Sequence, residues 1–167
     1  MNRLKKIKYI RKKLKDGKLS IGSWMQTFDS NIAEIMGELE YDWITIDLEH
    51  GAADFTKLPD MCRSIELGNT LPIVRIASAD EKDCKHSLDS GAGGVIVPNI
   101  EDAKQLEHII SSCSWPPKGK RGVGFSRANL YGKFFTEYKS EAQSPLIIAM
   151  IESQLGVRNI ESILSTP

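Results

Sequence analysis

The stretch Asp42-Trp43-Ile44-Thr45-Ile46-Asp47-Leu48-Glu49-His50 governs how the rest of the chain is read. Trp43–Asp47 is apolar or β-branched at almost every position, the pattern of a strand covered on both faces. It runs into Asp47, Glu49 and His50, a polar cluster at the strand's C-terminal end. Working outward, similar short runs recur at Leu19–Trp24, Leu71–Ile76, Gly94–Val97 and Leu146–Glu152. Between them, apolar residues follow helical spacing. Ile32, Ile35, Met36 and Leu39 form one stripe, opened by Asp29-Ser30-Asn31 as candidate N-caps. Leu58, Met61, Cys62 and Ile65 form a second, following Asp54. Residues 80–90 carry a weaker stripe, residues 101–111 align Ala103, Leu106, Ile109 and Ile110, and residues 154–164 make the last. Strands alternating with helices predict a parallel α/β fold. A doubly wound open sheet and a (β/α)8 barrel both satisfy it. The loop Gln26-Thr27-Phe28-Asp29-Ser30 lacks G-x-G-x-x-G, and there is no Walker A sequence, which weakens a nucleotide-binding sheet.

The 167 residues are 41% hydrophobic and 26% charged, enough for one globular domain with a real core. No apolar run approaches the roughly 18 residues of a membrane span. The basic start lacks a following apolar segment, so it does not read as a secretory signal. Cys62, Cys84 and Cys113 are far apart and without C-x-x-C spacing, which argues against a disulfide framework or structural zinc and for a reducing, cytoplasmic setting. The zero net charge is uneven. Residues 1–18 hold nine Lys/Arg and one acid, giving +8 there and −8 over residues 19–167. That segment reads either as a nucleic-acid or membrane-surface helix, or as a leading helix with Leu4, Ile7, Ile10 and Leu14 on one stripe and lysines in water. Four apolar anchors without Trp or Phe favour the second reading, with no nucleic acid and no membrane as partner; Asp16-Gly17 would end the helix. The expected organisation is a basic helix over residues 1–18 followed by the α/β unit over residues 19–167.

In either architecture, function belongs to the C-terminal strand ends and the loops after them. Those positions hold Asp47, Glu49 and His50, then Arg75, Pro98-Asn99 and Glu152. One charged strand end is ordinarily just solvated; four together point to a shared site. Asp47 lies three residues before His50, close enough for a carboxylate to orient an imidazole. Arg75 offers a planar fork for a carbonyl or enolate oxygen. Glu152 suits a hard divalent cation, which takes one or two carboxylates plus water and substrate. No lysine falls inside an expected strand, so a Schiff-base mechanism has no evident nucleophile. His86 and His108 fall on helices and read as surface residues.

Beyond these patterns, the chain resembles the HpcH/HpaI family of class II, metal-dependent 2-oxo-acid aldolases, within the phosphoenolpyruvate/pyruvate-binding barrel superfamily. The landmarks are Ile21-Gly22-Ser23-Trp24, the stretch from Asp42 to Gly51, Pro72-Ile73-Val74-Arg75, and Leu88-Asp89-Ser90-Gly91 running on to Pro98. They continue with Trp115-Pro116-Pro117-Lys118-Gly119-Lys120-Arg121-Gly122-Val123-Gly124 and Ile151-Glu152. The resemblance implies a (β/α)8 barrel that reversibly cleaves 4-hydroxy-2-oxo acids to pyruvate and an aldehyde, with Mg2+ or Mn2+ (or Co2+) as cofactor. It implies His50 as catalytic histidine, Asp47 as its orienting acid, Arg75 on the 2-oxo oxygen and Glu152 as the first metal ligand. Asp89 matches an acid supplied across a subunit interface of a trimeric or hexameric homo-oligomer. Arg121, Gly122 and Arg127 match a loop over the site, with Arg121 and Gly122 as substrate contacts. A neighbouring reading is a citryl- or malyl-CoA-type lyase; a reading of another class is an inactive interaction protein. Two departures stand out. Met150 replaces a Gln common in relatives, and the sequence ends at Pro167, before the segment that carries the family's second metal ligand, an Asp. The expectation is about six of eight βα units, with the final strands and helices missing.

Overall fold

The described residues of the computed structural model are 3–52 and 55–167, so Asp54 lies outside them. The chain begins with helix α1 (Arg3–Lys15), then alternates β1 (Gly22–Met25), α2 (Ser30–Gly37), β2 (Trp43–Asp47), α3 (Leu58–Leu67), β3 (Leu71–Arg75), α4 (Glu81–Asp89), β4 (Gly94–Val97) and α5 (Ala103–Cys113). A 3-10 turn at Arg127–Asn129 and α6 (Phe135–Ala142) lead to β5 (Leu146–Ala149), α7 (Gln154–Arg158) and α8 (Ile160–Leu164). The strands form one parallel sheet in chain order, with Ile44 beside Pro72, Ile73 beside Gly94 and Ile96 beside Ile148.

Capping follows the side-chain chemistry. Asp29 accepts from the Asn31 and Ile32 N–H groups to open α2, and Asp80, Asp102 and Ser153 do the same for α4, α5 and α7. The stripe at 58–65 becomes α3, with Lys57 as its cap and a proline in the first turn.

Period-two alternation divides the sheet into two cores. Ile44, Ile46, Val74, Val95 and Val97 face the layer of α2–α5, meeting Ala33, Met61, Ile65, Leu88 and Ile109. On the other face Trp43, Leu71, Ile73, Ile96, Leu146 and Ile148 meet Ile7 and Ile10 of α1. α1 therefore closes the inner face of the sheet. Burying Ile7 and Ile10 stabilises by about 1.5–3 kcal/mol each. Arg3 fixes its start: Nη1 lies 2.7 Å from Glu66 and Nε 2.5 Å from Glu141. At its end Lys13 reaches Asp42 at 2.9 Å, and Gly17 turns the chain with a positive φ. Leu14, expected on the buried stripe, is exposed.

Three boundaries differ from expectation. Leu19 and Ile21 are exposed and lie ahead of β1; the Ile21 N–H donates to the Asp42 carboxylate, and its carbonyl accepts from the Asp42 N–H. β5 ends at Ala149 and not at Glu152, and the last helical stretch breaks into α7 and α8 at Asn159. The count of about six βα units becomes five strands among the described residues, since residues 114–145 contribute turns and α6 but no strand. No helix of the described residues is long and apolar enough to cross a membrane.

Candidate active site

The same alternation that sends Trp43 and Thr45 to the inner face puts Asp47 there at the strand's C-terminal end. Beside it in register lies Arg75. Arg75 Nε donates to Asp47 Oδ1 at 2.8 Å and Nη2 to Oδ2 at 2.5 Å, a bidentate fork. Asp47 is fully buried and also accepts from Gln26 Nε2 at 3.0 Å and from the Glu49 and His50 backbone N–H groups at 3.0 and 3.2 Å. Burial alone would raise its pKa; the donors from Arg75, Gln26, His50 N–H and Trp24 outweigh that and hold it well below the ordinary carboxylate range. Hydrogen bonding to Asp47 in turn raises the Arg75 pKa, with burial opposing and Glu49 and Glu152 adding to the rise. The guanidinium carbon lies 5.0 Å from the Trp24 ring centroid, and Nη1 is 2.9 Å from Glu49 Oε2.

Asp47 is thus an anchor for Arg75 and a brace for the turn that follows. This corrects its expected role, because its carboxylate takes the His50 backbone N–H and makes no bond to the imidazole. Its lone pairs are already filled by Arg75, Gln26 and two backbone donors. The His50 ring is largely exposed, and Nε2 lies 3.9 Å from Glu49 Oε1. Glu152 follows β5 and is exposed; its Oε2 accepts from the Asn99 N–H at 3.0 Å. Asn99 adopts a positive φ, which asparagine tolerates, and so turns that N–H toward Glu152. An open cleft of about 450 Å3 adjoins Glu152, Ser153, Gln154 and Val157. Asp47 and Glu49 therefore grip one guanidinium, and Glu152, which is open to solvent, acts on it through its charge. That donor set fits a hard divalent cation held by one protein carboxylate and completed by substrate oxygens and water. No group of three or more His, Cys, Asp or Glu is arranged as a closed metal site among the described residues.

The expected loop residues lie elsewhere within this chain. α5 runs antiparallel to the strands and delivers the chain to their N-terminal ends, so residues 114–145 start at the wrong end of the sheet to cover Asp47 and Arg75. Arg121 is buried, with its guanidinium 5.6 Å from the Trp115 ring and Nη2 donating to Tyr138 Oη at 3.1 Å. Its Nη1 is 3.4 Å from Asp89, whose pKa is raised by burial against the pull of Arg121. Arg127 pairs with Glu66 near the foot of α3. Gly122 is exposed. Arg121 and Gly122, expected as substrate contacts, therefore lie away from the Asp47–Arg75 fork within one chain. His86 and His108 lie exposed on α4 and α5. Residue patterns passed over Gln26 and Trp24; their signal was that Gly22 and Trp24 share one face of β1 and Gln26, just past its end, continues the alternation. Met150 packs with the inner core.

The parallel sheet carries an acid–arginine fork and a further acid at its C-terminal strand ends, and sequence comparison identifies the family. Residues 20–167 match the HpcH/HpaI aldolase/citrate lyase family, and this chain belongs to it. Among curated relatives it is 31% identical over 157 residues to the hydroxypyruvate/pyruvate aldolase of Roseobacter denitrificans, covering 93% of this chain and 61% of that protein. It is 37% identical over 154 residues to the 4-hydroxy-2-oxovalerate aldolase of Novosphingobium aromaticivorans, covering 90% of this chain and 58% of that one. The chain thus spans less than two thirds of either relative. A solved family member from Burkholderia cenocepacia superposes with a TM-score of 0.86 at 29% identity, covering 95% of this chain and 65% of its own. α1 precedes the matched region.

Proposed function

We propose that this chain provides the catalytic half-site of a metal-dependent pyruvate aldolase, which cleaves 4-hydroxy-2-oxo acids to pyruvate and an aldehyde. The observation that carries the reading is the Asp47–Arg75 fork on the inner face, with Glu152 and His50 open beside it. Asp47 occupies two of the five guanidinium donors and Glu49 draws Nη1, so Arg75 is held still with donors left for the 2-oxo oxygen. As the C3–C4 bond breaks, its electron pair moves toward that oxygen, and a preorganised cation stabilises the enolate charge. His50, with an exposed ring, takes the proton from the C4 hydroxyl, and the aldehyde leaves; a proton delivered to C3 completes pyruvate. Glu152 would hold Mg2+ or Mn2+, which supplies Lewis-acid stabilisation of the oxo-acid end when bound. Asp89 is assigned to a neighbouring protomer's site in a homo-oligomer, and the setting is the cytoplasm, consistent with three buried free cysteines.

The test is pyruvate release from a 4-hydroxy-2-oxo acid by the protein that carries this chain. Activity is expected to vanish with a chelator and to return with Mn2+ or Mg2+. Trapping of a covalent pyruvate adduct by borohydride would instead indicate a Schiff base and overturn the reading.

A further inference from the structure

A cleft of about 220 Å3 opens between α4, the C-terminal end of α5 and the turn at Lys120–Gly122. It lies in the helical layer, across the sheet from the inner face that carries Asp47 and Arg75. Its wall holds four cations, Lys82, Lys85, Lys120 and Arg121, against one carboxylate, Glu81. Lys120 pairs with Glu81, and Arg121 with Asp89. Lys82 and Lys85 are exposed and make no ion pair among the described residues. Two donors in the wall are stranded. Ser112 Oγ and Arg121 Nε belong to residues 2% and 3% exposed, and neither has a hydrogen-bond partner. Unpartnered buried donors are rare in native proteins and call for an absent acceptor. Gly122 leaves open space where a side chain would stand, so its backbone can be approached.

We propose that this cleft binds a small phosphate-bearing anion. Ammonium groups and an arginine Nε only donate, so the wall offers many donors and one carboxylate that is already neutralised. A tetrahedral dianion can engage several of those donors at once, through charge-assisted bonds. The volume lies below the ~300–1,000 Å3 of sites for drug-sized ligands, as a phosphate group requires. None of the cleft residues belongs to the Asp47–Arg75 fork, and although Arg121 pairs with Asp89, which the aldolase reading assigns to a neighbouring protomer's site, Lys82 and Lys85 have no role in that reading.

Calorimetric titration with inorganic phosphate, against chloride at matched ionic strength, tests it. Saturable binding with a Kd of about 1 mM or tighter is expected. Lys82→Gln combined with Lys85→Gln should weaken it at least about tenfold, while Lys104→Gln, an exposed change elsewhere on α5, should leave it intact. Circular dichroism of these surface variants should match the parent. A parallel titration with glycerol phosphate separates two sources: tighter binding identifies a phosphomonoester as occupant, equal or weaker binding identifies free phosphate. Absence of saturable heat, or unchanged affinity in the double lysine variant, overturns the proposal.

Discussion

Arg75 is gripped from three sides, by Asp47, Glu49 and the Trp24 ring, and a lysine could not reproduce that grip. An ammonium supplies a point charge and no fork, so Arg75→Lys should lower kcat/KM by at least about tenfold even if the protein folds. His50→Ala removes the exposed imidazole and should lower kcat by roughly two to four orders of magnitude, with little change in thermal stability. Steady-state kinetics beside a melting curve checks both, and near-normal rates would remove either residue from the site. Asp47 gives a pH signature. Its folded pKa lies below the roughly 3.9 of an unfolded aspartate, so its stabilisation is complete above about pH 4 and fades as acid protonates it. The Tm gap between the parent and Asp47→Asn should be widest near neutrality and shrink below pH 4. A gap that grows in acid would contradict the pairing.

At the scale of elements, β2, β3 and β4 were legible because a strand buried on both faces must be apolar throughout, and few other structures demand that. Strand ends were harder to read. Leu19 and Ile21 look like strand residues, yet both are exposed, and the Ile21 N–H is taken by the Asp42 side chain. The site was legible as a set of strand ends, while its wiring was not. Spacing puts Asp47 near His50 but cannot show that neighbouring donors have already filled its lone pairs. The place of Arg121 was deducible in principle, since a helix antiparallel to its strands returns the chain to their N-terminal ends. Helix α1 shows the opposite difficulty: its apolar stripe was clear, but its anchoring through Arg3 to Glu66 and Glu141 depends on residues 63 and 138 positions away. Ile10→Ala should cost about 2–5 kcal/mol by opening a cavity beneath the sheet. Urea denaturation measures it, and a loss under about 0.5 kcal/mol would mean that α1 does not pack as described.

For the molecule as a whole, the sheet has two edges among the described residues, β1 beside β2 and β5 beside β4. β5 is only partly covered, and a groove of about 690 Å3 runs past Ile147, Ala149, Leu106 and Ile110. Edges open first, because each of their backbone groups loses protection without disturbing a central strand. Backbone amides of β3 should therefore exchange with deuterium at least about tenfold more slowly than those of β1 and β5. Equal protection across all five strands would show that another surface covers the edges in solution. The Arg3–Glu141 contact carries a different consequence, one of timing. Its two partners are separated by 138 residues, and ribosomes add about 5–20 residues per second. Arg3 thus waits roughly 7–30 s after its own synthesis for Glu141, in a segment that holds nine positive side chains over residues 1–18 beside the nucleic acid of the ribosome that makes it.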